Sequence, residues 1–268
     1  MSTFALKELL RLKQFENVFK TALAEGSGRV ELATELHRYR RKHKGSQDEG
    51  TFEDQKKALE ELATLGQDEV SREFPYLHSL LVVRVCSILE AAVDECTTAA
   101  LSISAIWEQP EIIRTIPIPL IDYTNLSEHD RVEYLLDELT KRTKATHQVG
   151  PGRFEALLTP VGLGGAVPDV VRRVFVELIE CRNVIVHRYG KVDRQFKDRV
   201  SWSAEKVGDH LEIGNTRYNK FIAGALWYGG ELMVRMSKKN LIVDISVDEI
   251  AGFLKFKDKQ EQLLINMP

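Results

Sequence analysis

An arginine, an asparagine and a histidine close one apolar segment of this 268-residue chain. They stand in Arg182-Asn183-Val184-Ile185-Val186-His187, followed by Arg188-Tyr189-Gly190. Imidazole ordinarily titrates nearest neutral pH, so His187 suits proton transfer in either direction. A guanidinium is a rigid fork of donors that fits phosphate oxygens, so Arg182 suits an anion whose charge grows as a reaction proceeds. Asn183 could orient the imidazole or the phosphate, and Arg188 could add a phosphate contact. The set suits acid–base chemistry on a phosphate ester.

Spacing does not single this set out, because Arg-x4-His occurs three times: Arg38 to His43, Arg142 to His147 and Arg182 to His187. Context separates them. Arg38 lies in the charged run HRYRRKHK, and Arg142 leads into the loop signal Val149-Gly150-Pro151-Gly152. Arg182 alone is followed by Asn, sits on an apolar helical pattern and precedes a glycine.

The helix that must carry it runs from Pro168 to Gly190. Pro168 and Asp169 are helix-start residues, and Gly190 suits the left-handed conformation just past a helix end. Val171, Val174, Phe175, Leu178, Cys181 and Ile185 recur at spacings of three and four, which marks one apolar face. That periodicity outweighs the β-branched run Val184-Ile185-Val186. At about 100° per residue, Asn183 and His187 share a face, whereas Arg182 and His187 stand about 140° apart. One helix brings the pair together only if the long Arg182 side chain reaches round.

Arg182-Asn183-x3-His187, with Leu178 upstream and Gly190-Lys191-Val192-Asp193 downstream, resembles the signature of the HEPN superfamily. The likeness is to the larger bacterial families of the RiboL-PSP and MAE type. It implies a helical bundle and a metal-independent endoribonuclease in which a ribose 2′-hydroxyl attacks its neighbouring phosphate. Products would carry a 2′,3′-cyclic phosphate and a 5′-hydroxyl. It also implies a homodimer whose two motif helices face one cleft across a twofold axis, with RNA as substrate and no cofactor. Ser87 and Glu90, in a Ser-x-x-Glu arrangement on a long early helix, are similar to the first core helix of those families. The implied role of Glu90 is a partner facing Arg182. Tyr189 completes Arg-x4-His-x-Tyr, found in HEPN toxins whose tyrosine is nucleotidylated by a partner nucleotidyltransferase. Tyr189 as a packing or RNA-stacking residue is the alternative. For the whole motif the alternatives are a non-catalytic HEPN-like module binding RNA, a nucleotide or a protein, and a helix end where Arg182 merely caps carbonyls.

Net charge of −3 and a pI near 6.2 give no overall basic footprint, so RNA affinity must come from local patches. The densest is Arg38, Arg40, Arg41, Lys42, His43 and Lys44, readable as a phosphate-contacting arm or as a solvated helix end. Cys86, Cys96 and Cys181 have neither metal-site spacing nor an even count, so they read as reduced core residues of a cytoplasmic protein. Lys7 and Glu8 stand where a signal peptide needs apolar residues, and Leu80–Val93 is short for a membrane span and broken by Arg84 and Glu90.

These patterns predict a mainly α chain: a helical arm over 1–70, a HEPN-type bundle over 71–238 and a tail over 239–268. Gly66 should end the arm's last helix. Residues 107–125, rich in Pro and Ile, should be an extended connection. A helix over 127–144 is capped by Ser127. The turn VGLGGAVPD lacks the lysine and preceding strand of a phosphate-binding loop. Alternation at Val200, Trp202, Leu211 and Ile213 around Gly208 predicts a small β-hairpin after the motif helix. Tyr218–Met236 should be a closing helix, with Gly229-Gly230 marking close helix approach.

Overall fold

The computed structural model describes residues 3–25, 30–38, 49–103, 111–242 and 246–267. Among these the chain is mainly helical: α1 Thr3–Ala24, α2 over 30–38, α3 Glu49–Ser71, α4 Pro75–Ile103, α5 Glu111–Arg114 and α6 Leu120–Asn125. After them come α7 Glu128–Thr143, a 3₁₀ turn at Ala145–His147, α8 Gly152–Leu158, α9 Asp169–Arg188, α10 Arg194–Arg199, α11 Asn215–Lys238 and α12 Val247–Asn266. Within the described part of the expected extended stretch, residues 111–125, two short helices, α5 and α6, flank the proline-bearing link Ile116–Pro119.

Helices α4, α9 and α11 pack against one another, with α7 and α8 on α4, and α1 and α12 on α11. α4 is the apolar centre, where Val82, Val85, Leu89 and Val93 are essentially closed to solvent. By length and composition alone, Pro75–Ser102 is apolar enough to cross a membrane, which is longer than the stretch the sequence marks. Its most apolar window is 56% buried among the other helices. Glutamates from outside the helix accept from the first amides of two of the three central helices. Glu69 accepts from the backbone of Tyr76 and Leu77 at the head of α4, and Glu73 from that of Asn215 at the head of α11.

Glycines set the helix separations. A Cβ at Gly224 would lie 2.8 Å from Cγ1 of Val174, so α9 and α11 touch there. Gly66 does not end α3, which runs on to Ser71. It lets α3 pass α1, where a Cβ would stand 3.1 Å from the Leu23 carbonyl oxygen. Gly229 faces Leu6 and Leu9 of α1, and Gly230 faces Phe256 of α12. The VGLGGAVPD turn is packed shut: Glu155 accepts from the Gly165 amide, from Tyr228 and from Arg235 of α11.

The expected hairpin is absent among the described residues. Asp193 caps α10 by accepting from Phe196, which turns 194–199 helical and carries Val200 into the core as its last cap. Residues 208–211 then pair with 190–192, through Val192 N–H to Asp209 O (2.9 Å) and Leu211 N–H to Gly190 O (2.8 Å), and form one isolated antiparallel bridge. The alternation at Val200, Leu211 and Ile213 therefore records apolar plugs, not a strand pair.

The inner face of α1 joins this core through Ala5 and Leu9, while Phe15 and Val18 face outward. Its Glu16 is closed off beside Lys13, Lys20 and the ring of His78, whose other nitrogen meets the Ile213 carbonyl at 2.7 Å. His78 stacks on Tyr218 at 4.5 Å. Burial pushes the Glu16 carboxyl up, but hydrogen bonds from His78, Lys13 and Lys20 outweigh it and hold it at about 2, below the ordinary 4.5.

Two outcomes follow. Gly224→Ala should lower stability by roughly 1–3 kcal/mol in chemical denaturation, and Val174→Ala in the same chain should cost less than the two changes added. Because Glu16 is depressed in the folded state, its stabilisation is complete above about pH 4.5 and is lost as pH falls towards 2. Glu16→Gln should remove that part of the acid dependence; an acid profile identical to that of the unaltered protein would show the contact is idle.

Candidate active site

α9 carries two stripes that end in different chemistry. Val171, Phe175 and Leu178 recur at spacings of four and three, and each is 0% exposed. The next position of that stripe is Arg182, where the bundle opens into a cleft between α4, α7, α8 and α9. The outer stripe ends in Asn183 and His187. Nη1 of Arg182 lies 3.4 Å from Oδ1 of Asn183 and 3.3 Å from Nε2 of His187. The reach of the arginine therefore overcomes the 140° separation that helical geometry sets, and the three residues converge within one chain. Arg182 and Asn183 are half-buried, and His187 is exposed in the last turn.

The helix stops through two successive left-handed residues. Tyr189 takes φ 53° and Gly190 φ 77°, and the amides of both turn back to the Val184 carbonyl. Gly190 bears this freely, as its sequence position suggests. Tyr189 does not, since the left-handed region costs a non-glycine residue roughly 1–2 kcal/mol. Its side chain is 92% exposed, so it does not pack. The helix C-terminus repels anions, and the guanidiniums of Arg182 and Arg188 must offset that before a phosphate can sit here.

Glu90 does not pair with Arg182. Both line the cleft, about 430 Å³ of open space, but the Glu90 carboxylate binds Arg153 of α8 at 3.1 Å. Arg153 carried no signal in the sequence, where Gly150-Pro151-Gly152 read only as a break. Asp94 and Asp137 face the same space, so three carboxylates meet two guanidiniums and the interior disfavours an anion. Burial raises the Asp94 carboxyl, and the charge of Glu90 raises it further. The Cys86 thiol in the neighbouring core is pushed up to about 12 by burial and then by Glu90, which leaves it unreactive.

The other candidates lie elsewhere. Arg188 binds Asp193 at 3.2 Å, the residue that caps α10. Arg38 is exposed at the end of α2 and pairs with Glu35, while Arg40 and Arg41 lie outside the described residues. The second Arg-x4-His copy serves the scaffold, since Arg142 donates to the side chain and carbonyl of Thr115 and holds the α5 connection. All three cysteines are buried and unpaired, and no cluster of three metal-binding side chains occurs among the described residues.

Compared with protein-family models, with curated proteins and with solved structures, the chain gives no match.

Arginine only donates, so the 3.3 Å contact requires Nε2 of a neutral His187 to accept and places the proton on Nδ1. Long-range ¹H–¹⁵N correlation spectra should show that tautomer for His187 and a shift away from it in Arg182→Ala. An Nε2-protonated ring in both proteins would break the proposed convergence.

Proposed function

We propose that the chain is a HEPN-type helical bundle acting as a metal-independent endoribonuclease of a bacterial toxin or antiviral defence system, in the cytoplasm. The observation that carries this reading is the meeting of Arg182, Asn183 and His187 at one solvent-open helix end.

In the proposed reaction His187 accepts the proton of a ribose 2′-hydroxyl, and the freed oxygen attacks the adjacent phosphorus. The bond to the 5′-oxygen breaks, and an imidazolium returns a proton to that leaving oxygen. Arg182 neutralises the charge that builds on the phosphate oxygens, and Asn183 holds the guanidinium in place. Cleavage of this kind conserves protons and leaves a 2′,3′-cyclic phosphate. The phosphate sits at the mouth of the cleft, because the carboxylates inside repel it.

A homodimer is part of the reading. Tyr76, Leu80, Ile185 and Tyr189 line one apolar groove beside the motif, which supports pairing of two such helix ends. The exposed Tyr189 hydroxyl supports control by a nucleotidyltransferase partner, since an added phosphodiester there would repel substrate from His187. A cognate antitoxin is the other partner class this reading allows. One observation favours a second reading, a non-catalytic RNA-, nucleotide- or protein-binding module. Arg182 engages the same Nε2 lone pair that a general base needs, so the ring must be released before it can act.

Purified protein incubated with single-stranded and structured RNA in excess EDTA should cleave, with cyclic phosphate ends. Arg182→Ala and His187→Ala should each slow cleavage by at least about a hundredfold. Binding without cleavage favours the module, and 3′-hydroxyl products or full activity in both variants sink the nuclease. Light scattering should report a dimer; a cleaving monomer refutes the paired arrangement.

A further inference from the structure

Fifteen residues before His187, on the same outer side of α9, the helix presents a second cationic surface. Arg172, Arg173 and Val176 of α9 line an open groove of about 550 Å³ with Arg199 and Trp202 of the following segment. The guanidinium of Arg173 lies 4.5 Å from the centre of the Trp202 ring, a cation–π pair. Glu177 fixes the indole by accepting from its Nε1 at 3.0 Å, so the ring is held while 38% of Trp202 stays exposed. Arg172 and Arg173 are both exposed. The nearest carboxylate to Arg172 is Asp169 at 3.9 Å, itself fully exposed, and Arg173 forms no ion pair among the described residues. Arg199 is already committed, to the buried Glu180 at 2.7 Å. Two guanidiniums are therefore open to an anion, beside a rigid aromatic surface.

From this geometry we infer that the groove is a binding site for single-stranded RNA: Arg172 and Arg173 hold backbone phosphates and a base stacks on the Arg173–Trp202 pair. The inference rests on the RNA reading of the motif and adds to it the form of the substrate and the course it takes. Stacking needs a base splayed out of a duplex, and a guanidinium on an indole offers a π surface that accepts any base. Along α9 the rise from Arg172 to His187 is about 22 Å, and the two differ by about 60° in azimuth. That span takes roughly six nucleotides at stacked spacing. Arg199 at the end of α10 lines the groove and is tied to Glu180 of α9, which stands between Arg172 and His187 along the helix. Nothing in the local sequence marks Arg172 and Arg173, because their partner Trp202 lies about thirty residues further on.

The test uses full-length protein carrying His187→Ala, so that RNA survives, and a fluorescein-labelled uridine-rich strand of about twelve nucleotides. Arg172→Ala with Arg173→Ala should weaken binding about tenfold in fluorescence anisotropy, and should lower the slope of log Kd against log salt by about 1.4. Trp202→Ala should weaken binding similarly and Trp202→Phe should restore most of it, with melting temperatures confirming that each variant folds. Unchanged affinity in both the arginine pair and Trp202→Ala overturns the site and leaves the nuclease proposal standing. Loss of binding in those variants, together with RNA cleavage that survives His187→Ala in the parent chain, keeps the site and removes the nuclease assignment. Polyglutamate binding as tightly as RNA, and equally well to Trp202→Ala, overturns the assignment to RNA. Failure of the unaltered protein to bind the strand overturns both.

Discussion

Burial of one face of α9 against α4 and α11 is the constraint on which the site depends. Val171, Phe175, Leu178 and Cys181 are closed to solvent, so the helix cannot rotate without exposing them. Contact between Gly224 and Val174 fixes how near α11 stands. With rotation and distance set, Arg182 must enter the cleft and Asn183 and His187 must face out. A single rigid helix thus delivers a guanidinium from its inner stripe and an imidazole from its outer one, and only the length of arginine joins them.

Charge is distributed in a way that separates support from chemistry. The buried ions are matched: Glu16 among Lys13, Lys20 and His78, Glu180 with Arg199, and Glu155 with Tyr228 and Arg235. Such pairs hold elements in register, since removing the cations beside Glu16 or Glu180 would strand a buried carboxylate away from water. Cations at the end and along the outer side of α9 are less committed. Among the described residues Arg182 meets Asn183 and His187 and no carboxylate, and Arg173 lies on an indole. The net charge of −3 does not reveal this asymmetry, which is local.

Local patterns told most of the helical story. The cap at Ser127, the apolar stripe of α9 and the glycine at its end all read correctly, because each depends on neighbours within a turn or two. Failures came where a local signal had a distant cause. Gly66 read as a helix stop and is a crossing point for α1. Alternation after residue 200 read as strand and is a set of side chains filling gaps beside a helix capped by Asp193.

By itself the sequence determined that Arg182, Asn183 and His187 occupy one helix end and that a left-handed turn follows. Periodicity and capping are short-range, and the chain carries them in full. Only the tertiary structure decided that Glu90 belongs to Arg153, that Arg182 reaches His187, and that Arg172 and Arg173 stand with Trp202 on the outer side of the motif helix. Those pairings join residues far apart in the chain, and no spacing rule records which of several cations a folded surface will bring to one carboxylate or one ring.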